Sequence, residues 1–99
     1  MKIEDCDYKE LEEIFYKAYE QSAKGKGKER HATEGVPWVE QPIIKNTFKT
    51  GVGGPIFQVL KKAEEGLRLP PNMAIEEYLG AINYLAAAIY YLEHNNTQG

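Results

Sequence analysis

Apolar residues recur along most of this chain at helical spacing, and nowhere in the strict alternation of a half-buried strand. Tyr8, Leu11, Ile14, Phe15, Ala18 and Tyr19 mark a first helix over about 7–24. Asp5 or Asp7 can cap its start, where acidic side chains complement the positive end of the helix dipole, and Gly25 and Gly27 end it. Pro42 can open a short helix over 43–50 that Gly51 stops. Ile56, Phe57, Val59, Leu60 and Ala63 give another over 55–66, with Pro55 suited to the first helical position. The last, over 73–94 with Asn72 as its cap, is apolar almost all round. Ile75, Tyr78, Leu79, Ile82, Leu85, Ala86, Ile89 and Leu92 line one broad face, and Asn83 is the one strongly polar side chain between Tyr78 and Leu92. A helix with so little polar surface belongs at the centre of a bundle or against another chain. The fold class expected is all-α, a small oligomeric helical bundle with a long ordered basic loop, forming one domain over 1–99.

That loop, residues 25–42, holds three glycines and two prolines in eighteen positions and has no helical or strand period. It also carries the charge asymmetry. The 99 residues have 12 basic and 15 acidic side chains, a net charge of −3, yet residues 21–50 alone hold six basic and three acidic, net +3. The flanking segments come to −4 over 1–20 and −2 over 51–99. A nucleic-acid binder neutralises many phosphates and is usually basic overall, so a small anionic ligand fits better than a polymer. The apolar run of the last helix is about fifteen residues, with Glu76, Glu77 and Glu93 close by, short for a bilayer span of roughly 20. No membrane partner is expected. One cysteine, Cys6, excludes a disulfide framework within the chain, and with no leader pattern the expected location is cytoplasmic.

Within the loop, Lys26, Lys28, Arg30 and His31 alternate with or follow glycines, so that backbone and cations can approach a phosphate together. A Walker A motif is absent, because the Gly-Lys pairs lack a following Ser or Thr. The alternative is a solvated basic turn. Trp38, the single tryptophan, either fills the core or stacks on a base. Gln41, Asn46 and Thr47 can hydrogen-bond a base edge or ribose. Lys45 and Lys49, four residues apart, share one flank of the short helix. GVGGP at 51–55 resembles a phosphate-binding helix start, or a sharp turn alone. Metal-ligand spacing is missing, with His31 and His94 isolated, so neither a metal nor another cofactor is expected. Helical nucleotide pyrophosphohydrolases pair Glu-x-x-Glu with Glu-x-x-Asp to hold magnesium. Glu10 and Glu13 fit the first half, but three residues after Glu77 stands Gly80.

Two stretches, RHATEGVPW and YLGAINYLAAAIYYLE, resemble small phage-encoded helical proteins, in particular the family of dATP/dGTP diphosphohydrolase N-terminal domains. Gly35, Val36, Pro37 and Trp38 match its Gly-Ile/Val-Pro-Trp turn, and Ala81 and Asn83 match its Ala-x-Asn closing helix. The likeness covers about half the chain. It departs where that family carries histidines: this chain has Gln58, Lys61 and Lys62 in the middle helix, and no histidine between His31 and His94. Without those groups the combination resembles phage sponge proteins, oligomers that sequester the signalling nucleotides of bacterial antiphage defence. The resemblance therefore implies a phage immune-evasion protein that binds a cyclic dinucleotide such as cGAMP, or a cyclic ADP-ribose-type signal, without hydrolysing it. Its expected partners are that anionic ligand and further copies of itself, as a dimer or tetramer. Two alternatives remain: a magnesium-dependent nucleotide diphosphohydrolase using Glu10, Glu13 and Glu77, and a protein-binding inhibitor docking through the last helix.

Overall fold

A computed structural model describes residues 6–24 and 35–95, and the chain there is all-helical. A single 3-10 turn, Cys6–Tyr8, leads into α1, Lys9–Lys24; a second, Trp38–Glu40, leads into α2, Pro42–Thr50. Then come α3, Gly53–Gly66, and α4, Pro71–His94, which packs against all three other helices. Residues 25–34, and with them Lys26, Lys28, Arg30 and His31, lie outside the described residues.

The helix starts show which local signal wins. α4 begins at Pro71, not after an Asn72 cap: Pro70 is extended at φ −60° and ψ 155°, and Pro71 occupies the first helical position. A residue before proline is kept out of the helical region while the proline itself has its φ preset, so the Pro-Pro pair fixes the boundary two residues early. α3 likewise starts at Gly53, placing Pro55 inside the first turn, where its missing N–H removes no intrahelical bond. α2 starts at Pro42, one residue before the expected boundary, and is capped after Thr50 by Gly51. There φ is +79°, a conformation that residues bearing a Cβ avoid, and the Gly51 N–H donates to the Thr47 carbonyl at 2.7 Å.

α3 and α4 form an antiparallel hairpin that closes on two glycines. A Cβ on Gly66 would lie 2.3 Å from the Tyr78 ring, and one on Gly80 would lie 3.1 Å from Cε of Lys62. The Lys62 stem therefore lies along the α4 backbone, with its ammonium 3.4 Å from a Glu77 carboxylate and 5.9 Å from the Tyr84 ring centroid. On the other side of α4, α1 is held by a chain of amides. Asn83 donates to the Ala18 carbonyl at 3.0 Å and to Oε1 of Gln21 at 3.3 Å. Gln21 in turn donates to the carbonyl and the carboxylate of Glu76, at 3.0 and 3.1 Å. The lone polar residue of the apolar run is thus the clamp between two helices.

The core is made mostly of alanines. Among the described residues Ala18, Ile44, Ala74, Leu79, Ala87 and Ala88 are the buried apolar side chains, and no large one is fully buried. Eighteen large apolar residues of the described chain are exposed, Leu67 at 81% among them. Burying a Leu- or Phe-sized side chain stabilises by about 1.5–3 kcal/mol, and here most of that gain is left half-realised within one chain.

Candidate functional site

The expected ligand-facing residues that are described all sit on or just before α2, at the end of the bundle where α4 finishes. Gly35 takes φ +80° and turns the chain into Val36–Pro37 and the 3-10 turn at Trp38. Two hydrogen bonds close that turn, from the Glu40 N–H to the Pro37 carbonyl at 2.9 Å and from the Gln41 N–H to the Trp38 carbonyl at 3.0 Å. Gln41 is buried and its amide donates to the Val36 carbonyl at 2.6 Å, so its side chain ties the incoming segment to the start of α2. Thr47 is 3% exposed and its hydroxyl donates to the Ile43 carbonyl at 2.6 Å, the i−4 back-bond open to a threonine within a helix. These two side chains hold the scaffold rather than face solvent.

Trp38 is neither core nor free. It is 37% exposed and meets Tyr90 edge to face, with ring centroids 5.6 Å apart and planes at 74°. Tyr90 is the hub of a larger cluster. The Phe48 ring of α2 lies 6.2 Å from the Tyr90 ring and 5.0 Å from the Tyr91 ring, at 66° and 70°, and His94 stacks on Tyr90 at 4.1 Å and 25°. The His94 ring also lies 3.0 Å, through Nδ1, from the Tyr90 carbonyl. Tyr90 and His94 are four residues apart on α4, and that spacing was the available sequence signal for a pairing the composition alone does not suggest. The geometry presents a partly open aromatic surface built from two helices and a turn.

Lys45, Asn46 and Lys49 are exposed on α2. The two lysines, one turn apart, line one flank of the helix that also carries Phe48, and no ion pair to either is seen among the described residues. The Gly51–Pro55 stretch is occupied by its own turn: Gly54 donates to the Gly51 carbonyl at 3.2 Å, and the Thr50 side chain packs against Gly54. Glu10 and Glu13 are exposed on α1, whereas the Glu77 carboxylate is engaged by Lys62. Among the described residues no three His, Cys, Asp or Glu side chains are grouped to hold a metal ion. Nor is any described helix long and apolar enough to cross a membrane. In comparisons with known proteins, no family model, no curated protein and no solved structure matched the chain.

Proposed function

We propose that the chain binds a small anionic nucleotide at the aromatic end of the bundle and holds it without hydrolysis, as a homo-oligomer. The observation that carries this is the half-open Trp38 on Tyr90, with two exposed lysines on the neighbouring helix and a basic segment immediately before it in the chain. An aromatic platform takes any base by its π-face, at about 1–3 kcal/mol per stacked base, and lysines neutralise phosphate as mobile point charges. In this reading Trp38 stacks, Lys45 and Lys49 meet phosphate together with Lys26, Lys28, Arg30 and His31, and Asn46 offers a polar edge. Gln41 and Thr47 keep the turn and α2 in place. A ligand with two bases and two phosphates, such as a cyclic dinucleotide, or a cyclic ADP-ribose-type signal, matches a site with more cations than one phosphate uses. Sequestration of such a signal during phage infection is the role this supports.

The test is to purify the chain from cells that make such signals and identify by mass spectrometry what stays bound. An intact cyclic nucleotide retained by the parent chain and lost from Trp38→Ala is the expected result. Recovery of linear or dephosphorylated products would point instead to hydrolysis, and an empty chain from signal-producing cells would count against binding.

A further inference from the structure

Six large apolar side chains of α4 fall on one seam that the bundle leaves mostly uncovered; Met73, also exposed, lies off it, and the Tyr78 ring packs over Gly66 of α3. Ile75, Tyr78, Ile82, Leu85, Ile89 and Leu92 are spaced 3-4-3-4-3, the a and d positions of two and a half heptads. Five of the six are 40–65% exposed and Ile82 is partly so. The side chains α4 buries within its own chain lie elsewhere on the helix: Gly80 and Ala87 at the outer f positions, Ala74, Leu79 and Ala88 at the flanking ones. Asn83 and Glu76, which hold α1, occupy b positions, and Glu77 and Tyr84, which meet Lys62 of α3, occupy c positions. Two sides of α4 are thus closed, by α1 and by α3, with Phe48 of α2 against Tyr90 and Tyr91 near its C-terminal end. The third is an apolar seam about 27 Å long.

We infer that this seam pairs with the same seam of a second copy of the chain, parallel and in register, as the two-fold interface of a homodimer. This deepens the oligomeric part of the proposed function and does not depend on the ligand. Three features select a second copy as the occupant. Every a position is isoleucine and two of the three d positions are leucine, the distribution that favours two parallel strands. The a and d positions carry no charge, and of the flanking e and g positions only Glu93 is charged, the others being alanine or leucine, so a close helix can approach along the whole length. The area suffices too. Six half-exposed large side chains offer on the order of 500 Å² per chain, so the pair covers about 1,000 Å², where specific interfaces begin. One chain alone would leave a continuous apolar stripe near the upper end of what monomers expose.

Light scattering coupled to size-exclusion chromatography tests this on the full chain. The parent is expected at twice the chain mass, and the double variant Ile82→Glu with Ile89→Glu at the chain mass with helical circular dichroism retained. Leu67→Glu, equally apolar-to-acidic but off the seam, should leave the dimer intact. On a Cys6→Ser background, Ile89→Cys should crosslink to its copy under mild oxidation, because facing a positions of parallel strands sit within disulfide reach. A monomeric parent overturns the inference, as does a dimer indifferent to the double variant. A dimer in which Ile89→Cys fails to crosslink overturns the parallel register, since an antiparallel pair would hold those positions about 16 Å apart. A monomer that still binds nucleotide would overturn this interface and leave the ligand reading standing; a dimer that binds none would do the reverse.

Discussion

Replacing Asn83 tests what holds α1 to the bundle. Its amide nitrogen lies within hydrogen-bonding distance of three oxygens: the carbonyls of Ala18 and Leu79 and Oε1 of Gln21, at 3.0, 3.2 and 3.3 Å. The two backbone carbonyls can only accept, so the NH2 group must face them. Two of the three bonds cross between helices. Asn83→Ala removes them, at about 0.5–1.5 kcal/mol each, and regains roughly 0.6 kcal/mol of helix propensity, for a net loss of about 1–2 kcal/mol. Asn83→Asp keeps the shape but presents a carboxylate to the same oxygens. Gln21 can turn its own amide toward it only by releasing both bonds to Glu76, and the two carbonyls stay unanswered. A loss of about 2–4 kcal/mol follows. Urea unfolding followed at 222 nm, at one fixed chain concentration so that any self-association contributes equally, reads both. With slopes of 1–3 kcal/mol per molar, the midpoint should fall by about 0.5–1 M for the alanine and by 1–2 M for the aspartate variant. The aspartate deficit should shrink as pH falls, since a protonated carboxyl regains one O–H donor. An aspartate variant as stable as the alanine variant at neutral pH would refute the amide clamp.

Gly66→Ala should destabilise by about 1–2 kcal/mol despite its better helix propensity, because the new methyl displaces the Tyr78 ring; thermal unfolding would show it, and a rise in Tm would contradict the close packing. Gly51→Ala should cost about 1 kcal/mol or more through its positive φ, with no effect on α3 or α4 contacts. Lys62→Met keeps the stem over Gly80 and loses only a partly exposed ion pair, so its urea midpoint should move by less than about 1 kcal/mol equivalent. Lys45→Ala with Lys49→Ala should weaken nucleotide binding about tenfold or more and flatten its salt dependence, read by calorimetry at two ionic strengths, while leaving the unfolding midpoint unchanged.

Three of the four helices are legible in the sequence because apolar side chains recur at 3.6-residue spacing, and α2 because Pro42 can open a helix and Gly51 can end one, where the backbone needs a residue without Cβ. The starts at Pro71 and Gly53 were less legible. Asn72 is a good cap in isolation, and only the restriction proline places on the residue before it moves the boundary to Pro70. For α4 the all-round apolar pattern hid which sectors its own chain would close, since alanines and glycines admit close helices as well as isoleucines invite them. Asn83 stood out as the exception in an apolar run, but its partners, Ala18 and Gln21, are more than sixty residues away in the chain. In the candidate site, Trp38 is legible as core or platform, and the structure places it partly exposed with its ring edge to face against Tyr90. Gln41 and Thr47 carry ligand-binding chemistry by type, yet their polar groups are spent on Val36 and Ile43. The Tyr90–His94 stack is not legible, because an aromatic residue near the end of an apolar helix resembles the rest of it and His94 reads as an isolated histidine.

Calorimetry with a panel of cyclic dinucleotides and cyclic ADP-ribose isomers tests the proposed nucleotide site most directly. At least one member should bind the parent chain more tightly than about 1 μM, some −8 kcal/mol, and 10- to 100-fold more weakly after Trp38→Ala. No member binding below about 1 μM, or equal affinity with and without the indole, would contradict it.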